Sequence, residues 1–289
     1  MSTQSIQIEY TEHTLALGAE KPFRVLHLSD THFALSDSRD DDRKQQLGAK
    51  RRDAFASFPD STRLYWQTAF DYGRNNCDLI IHTGDLIDFV SHPNLEKFAE
   101  VNKEEKLFFA TGNHEFSLYV GEAFEDTAYK MQSFDKLQSR ISTDLDFASK
   151  VFNGINFVAI DNGYYLFSDR HLELLKKEID RGYPVVLCVH DPLYTPDVGA
   201  EIIRSSADHC TFMVDAPEEI LATYNGYRKR QQTPDESTRR FVDFCRDTTG
   251  IKAIFAGHLH RYFQTKFGNI PQFVCGATYK GEASIYNII

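Results

Sequence analysis

Six short apolar runs, at residues 23–28, 79–81, 107–109, 156–160, 185–189 and 252–256, punctuate the sequence. Each is brief, rich in β-branched or aromatic side chains, and mostly followed by turn formers, the pattern of buried strands. Five of them end in or near side chains that bind metals: Asp30-Thr31-His32, Gly84-Asp85, Gly112-Asn113-His114-Glu115, His190, and Gly257-His258-Leu259-His260. In open α/β sheets ligands bind beyond the carboxyl ends of strands. Side chains two apart at a strand end, as in Asp30/His32 and His258/His260, can point to one side and share one site.

Helical patterns lie between the runs. Leu172, Leu175 and Ile179 repeat at helical spacing after Ser168, an N-cap residue, and before Gly182, a stop. Phe241 and Cys245 lie one turn apart after Ser237, and Gly250 ends that segment. Residues 63–75 and 95–104 are weaker helix candidates, and 272–275 and 284–288 read as further strands. The expectation is one α/β domain over residues 1–289 with a layered sheet core. Three long connections, 36–60, 116–150 and 194–237, interrupt the alternation. Connections of such length inside a compact domain are commonly lids or binding loops, and 194–237 is the candidate cap.

Composition narrows the function classes. With 42% apolar and 13% aromatic residues the chain is globular, and no stretch approaches the roughly 20 apolar residues that span a bilayer. The N-terminus lacks the basic start and apolar run of a signal peptide. Five cysteines without a CxxC pair suit reduced thiols in the cytoplasm. A net charge of −10 opposes nucleic-acid backbones and anionic membranes at long range. The expected partner is a small phosphorylated substrate, with no membrane and with nucleic acid disfavoured by the charge; the oligomeric state stays open.

Taken singly, each block has a plain reading as a turn, a surface loop or a satisfied core histidine. Together they supply oxygen and imidazole donors with no cysteine, a set suited to Zn, Mn, Fe, Co or Ni. Seven ligands exceed one ion and suit two, provided one carboxylate bridges. Two ions about 3.5–4 Å apart can clamp a phosphoryl group and acidify water. Their charge outweighs Asp30 and Asp85, so an anionic phosphate can be drawn into an acidic protein.

The same blocks, spread from residue 30 to residue 260, resemble the calcineurin-like metallophosphoesterase superfamily. The resemblance implies a four-layer αββα sandwich and a dinuclear centre. Asp30, His32 and His260 would hold one ion, Asn113, His190 and His258 the other, and Asp85 would bridge them. Asn113 and His114 would contact the phosphate, and His114 would protonate or stabilise the leaving group. The implied activity is phosphoester hydrolysis by attack of a metal-bound hydroxide.

Departures from relatives refine this. The arginines that serine/threonine protein phosphatases usually carry beside the second and third blocks are absent, and Asp88 stands where purple acid phosphatases carry an iron-binding tyrosine. What is left is the broad group of small-substrate phosphoesterases, with a phosphodiesterase of small molecules or nucleotides expected first. A phosphomonoesterase or nucleotide pyrophosphohydrolase is the alternative, and a non-catalytic scaffold a third, disfavoured because every ligand is present. Glu115, Asp88 and Asp191 are candidates to orient ligand imidazoles. His27 and His82 read as core, and His13, His92, His171 and His209 as surface. The basic clusters 50–52 and 228–230 read as solvated faces, or as grips for a second phosphate.

Overall fold

A computed structural model describes residues 6–289. In chain order its elements begin with β1 (Glu9–Leu15), β2 (Phe23–Leu28), α1 (Asp42–Phe55), α2 (Ser61–Asn76), β3 (Leu79–Thr83), α3 (His92–Val101) and β4 (Leu107–Ala110). Then come α4 (Thr127–Gln138), β5 (Phe147–Phe152), β6 (Ile155–Ile160), α5 (Asp169–Asp180) and β7 (Val185–Cys188). The chain continues through α6 (Pro196–Ser205), α7 (Glu218–Leu221), α8 (Gly226–Gln232) and α9 (Glu236–Asp247). It closes with β8 (Ile251–Ala256), β9 (Phe263–Phe267), β10 (Ile270–Val274) and β11 (Glu282–Ile288).

The strands form two sheets, ordered β1-β11-β2-β3-β4 and β5-β6-β7-β8-β10-β9. In the first, β2, β3 and β4 run parallel; in the second, β6, β7, β8 and β10 do. Strands buried on both faces need apolar residues at every position, which is why these runs do not alternate with polar ones. The two faces serve different layers. In β7, Val186 and Cys188 face the core between the sheets, while Val185 and Leu187 join Phe241 and Cys245 of α9 and Leu172 and Leu175 of α5. On the other side Leu26 and Leu28 pack with Trp66 and Phe70 of α2. Helix, sheet, sheet, helix: this is the expected four-layer αββα sandwich.

The helix ends follow local chemistry. Ser168 caps α5, and His171 completes a capping box with it, so His171 is a buried structural residue and not a surface one. Helix α9 starts at Glu236, before Ser237, because the Asp235 side chain accepts from Thr238 N. The long connections are structured: 36–60 holds α1, 116–150 holds α4 and β5, and 194–237 holds α6, α7 and α8 around a small core of Cys210, Ala216, Leu221 and Tyr224. All five cysteines are free and buried. Among the described residues, no helix is long and apolar enough to cross a membrane.

Candidate metal centre

Strand ends place the predicted ligands. Asp30 and His32 follow β2, Asp85 follows β3, Asn113 follows β4, His190 follows β7, and His258 and His260 follow β8. The first three strands belong to one sheet and the last two to the other, so the site lies where the carboxyl ends of both sheets meet. Asp30, His32, Asp85, His258 and His260 all take left-handed backbone angles, with φ between 51° and 70°. Asp and His tolerate this region better than β-branched residues, yet it is strained, and neighbouring contacts must hold it.

Those contacts are mostly to the main chain. Asp30 N donates to Gly84 O at 3.0 Å and His32 N to Asp85 O at 2.9 Å. Asp30 Oδ2 accepts from His258 N at 3.0 Å, and Asp85 Oδ1 accepts from His114 N at 2.8 Å. Buried Glu115 accepts from the amides of Gly112, Asp85 and Leu86 at 2.7–2.8 Å. It therefore braces two ligand loops against each other and does not orient an imidazole. Gly112 leaves no room for a side chain, since a Cβ there would stand 2.3 Å from Asp85 Oδ1.

The predicted aspartate and histidine ligands fall in two convergent sets. Asp30, His32, Asp85 and His260 offer atoms all within 4.8 Å of one another, and so do Asp85, His190 and His258. Asp85 belongs to both. Asn113 lies beside them, 8% exposed on the wall of the same cavity, and its Oδ1 is buried without a hydrogen-bond partner.

Proton positions show what the cluster lacks. His190 Nδ1 lies 2.6 Å from Thr83 O, which can only accept, so Nδ1 carries a proton and Nε2 is the nitrogen turned into the cluster. That nitrogen stands 3.2 Å from Asp85 Oδ2. His32 Nδ1 donates to Asp88 Oδ1 at 2.9 Å, which leaves Nε2 3.0 Å from His260 Nε2 and 3.6 Å from Asp85 Oδ2. Asp30 Oδ1 is buried without a hydrogen bond, 3.2 Å from His260 Nε2. Carboxylates and imidazole nitrogens crowd together here, and such a buried cluster is costly unless protons or cations neutralise it. An oxygen and imidazole set of this kind fits transition-metal ions.

The sequence pattern of the calcineurin-like phosphoesterases matches residues 23–262. The chain belongs to the calcineurin-like phosphoesterase family. It is accordingly a metal-dependent phosphoric ester hydrolase. No curated protein matches the sequence. Among solved structures, a dimetal phosphatase from Danio rerio is 11% identical, with 91% of each chain covered and a TM-score of 0.46. A calcineurin-like phosphoesterase from Bacillus subtilis is 12% identical over 90% of this chain and 82% of that one, at a TM-score of 0.43. A 5′-nucleotidase candidate from Staphylococcus aureus, in complex with alpha-ketoglutarate, is 15% identical over 89% of this chain, at a TM-score of 0.45. This chain spans 49% of that protein's length.

Further side chains named in the sequence surround the phosphoesterase centre. Asp88 accepts from His32 on one oxygen and from Arg51 Nε on the other, and its main-chain oxygen accepts from His114 Nδ1 at 2.8 Å. Burial lowers the proton affinity of His114, but Asp85 and Asp88 outweigh it and raise its pKa to about 10. Asp191, beside His190 in sequence, faces His258 instead, with Oδ1 3.2 Å from Nδ1, and burial lifts its carboxyl to about 8. Arg51 turns inward from its basic cluster, whereas Arg228 projects from α8 onto a cavity of about 830 Å³. That cavity runs from Asp85, Asn113, His114 and His258 out to Glu125 and Tyr227. His27 and His82 are core, as expected, and His92 and His209 are exposed. His13 is half-buried against Tyr262.

Proposed function

We propose that this chain hydrolyses small phosphodiesters, nucleotides among them, at a centre of two transition-metal ions. Asp30, His32 and His260 would hold one ion, and Asn113, His190 and His258 the other, with Asp85 reaching both. The observation that carries the reading is the membership of Asp85 in both ligand groups, directly under the large cavity. When bound, the ions supply positive charge to the phosphoryl oxygens and lower the pKa of water. The oxygen and nitrogen donors suit Mn, Fe, Zn, Co or Ni.

The chain's own residues supply the rest. His114 spends Nδ1 on the Asp88 carbonyl, which leaves Nε2 for the substrate. A protonated imidazole there donates to the departing oxygen, and Asn113 beside it contacts the phosphate. The charges around the cavity favour a monoanionic diester over a dianionic monoester. Its arginines are already engaged, Arg228 with Asp208 at 2.8 Å and Arg261 with Glu201 at 3.1 Å, and Glu125, which pairs with no cation among the described residues, also lines it. A cavity of about 830 Å³ also has room for a second substituent on phosphorus. Residues 194–237 act as a cap: Ile202, Ser205, Phe212, Tyr227 and Arg228 form its inner wall. Five free, buried thiols support a reducing, cytoplasmic compartment.

Hydrolysis of bis-nitrophenyl phosphate and nitrophenyl phosphate, assayed with Mn, Fe and Zn, tests the reading. The diester is expected to react with the larger kcat/KM; a preference for the monoester would make the chain a phosphomonoesterase.

A further inference from the structure

We propose that the Tyr165 hydroxyl binds the phosphate directly, accepting a hydrogen bond from His258 and donating its own proton to a non-bridging phosphate oxygen. The inference rests on the hydrolase reading above.

Tyr165 lies in the turn after β6, outside every sequence block. Its φ is 61°, a left-handed angle that bulky aromatic residues rarely take. The surroundings enforce it. Tyr165 N donates to Asn162 O at 2.8 Å and to Asp191 Oδ2 at 3.0 Å. Asn162 is pinned in turn: its Oδ1 accepts from His190 N at 2.9 Å and Asp191 N at 3.1 Å, and its Nδ2 donates to Asp191 O at 2.7 Å. On the other side Gly163 lies so close to the third block that a Cβ would stand 2.7 Å from Asn113 N. One buried turn is thus wedged between the loops that carry Asn113 and His190. Strain held this firmly is characteristic of functional positions.

The hydroxyl chemistry follows from the position of His258. Tyr165 Oη lies 2.8 Å from His258 Nε2, and among the described residues it has no other hydrogen-bond partner. The opposite ring nitrogen, Nδ1, stands 3.2 Å from both His190 Nε2 and Asp191 Oδ1. A cation held with His190 would take the Nδ1 lone pair, which would leave the ring proton on Nε2, facing Tyr165 Oη. A hydroxyl has one proton and two lone pairs, so the phenol accepts this bond and keeps its own O–H to donate. Tyr165 is 3% exposed, yet it lines the cavity beside His258 and Asn113. A phosphate oxygen is a charged acceptor, the strongest partner for such a donor.

Tyr165→Phe keeps the ring and removes only the donor. Inorganic phosphate is titrated calorimetrically into Mn(II)-loaded wild type and variant, with metal content and Tm measured in parallel. The expected result is unchanged metal content and Tm, with phosphate binding weakened roughly 10- to 100-fold and kcat/KM on a diester lowered to match. Unchanged phosphate affinity at full metal load overturns the proposal. So does loss of Mn(II) with normal phosphate affinity once metal is restored, which would leave Tyr165 only positioning His258. A wild type that holds no metal and binds no phosphate would sink the hydrolase reading itself, whereas an active wild type matched by Tyr165→Phe sinks this inference alone.

Discussion

Arg51 grips Asp88 with two hydrogen bonds, Nε to Oδ2 at 2.6 Å and Nη2 to Oδ1 at 2.7 Å. The guanidinium also lies over Phe55, 4.6 Å from the ring centroid, and Phe55 stacks on His32 at 4.3 Å. Helix α1 therefore clamps His32 twice, on its face through Phe55 and on its edge through Asp88.

Arg51→Ala is expected to cost about 2–4 kcal/mol of stability, because it leaves the Asp88 carboxylate buried beside one fewer cation. Arg51→Lys restores charge but not the two-pronged geometry, and is expected to recover part of that loss. Urea unfolding of the three proteins measures both. A Lys variant no better than Ala would show that charge at this position contributes nothing.

His114→Ala is expected to keep both metal ions and to slow hydrolysis by roughly 10²–10⁴-fold for leaving groups of high pKa. An activated nitrophenyl ester needs little protonation, so its rate should fall less. Equal losses on the two substrate types, with metals retained, would rule out proton donation.

Tyr227→Ala is expected to alter the ratio of kcat/KM between diesters with different second substituents while metal content stays constant. Tyr227 lines the outer cavity and is 46% exposed, so its loss leaves the fold intact. Identical ratios across a substrate panel would make this part of the cap mere surface.

His27 and His82 lie fully buried behind the ligand loops, and burial pushes both down to about 3. An unfolded imidazole takes its proton near about pH 6.5. Below that pH the unfolded chain binds protons that the folded chain refuses. Stability is therefore full above about pH 6.5 and falls as pH drops towards 3, by about 1–3 kcal/mol per histidine at about pH 4. His82→Gln, which keeps an Nε2 donor near Thr31, should lose less stability than wild type between pH 7 and pH 4. Parallel losses in urea unfolding would contradict this.

The ligand residues were legible because their chemistry is unusual at strand ends. Each of the seven follows an apolar run within a few residues, and oxygen and imidazole donors seldom gather there by chance. The layers were legible for a related reason, since unbroken apolar strands such as Val185–Cys188 need cover on both faces. Residues that act through shape were not. Arg51 sits in a segment crowded with charge, and only the path of α1 turns it towards Asp88. Glu115 looked like a partner for imidazoles, but the close approach of Gly112 to Asp85 directs it to main-chain amides. The strand β1 was missed because it is an edge strand whose residues are all partly or fully exposed, and its parallel pairing with β11 spans nearly the whole chain. Tyr165 carries no motif at all: its importance lies in a backbone angle.

The dinuclear centre stands or falls on Asp85, the one side chain common to both ligand groups. Metal content per chain, measured by inductively coupled plasma mass spectrometry on Asp85→Asn and Asp30→Asn beside wild type, tests it most directly. A bridging carboxylate serves both ions, so wild type should retain two, and Asp85→Asn should lose more metal than Asp30→Asn. Two ions retained in Asp85→Asn, with loss in Asp30→Asn, would contradict the bridge.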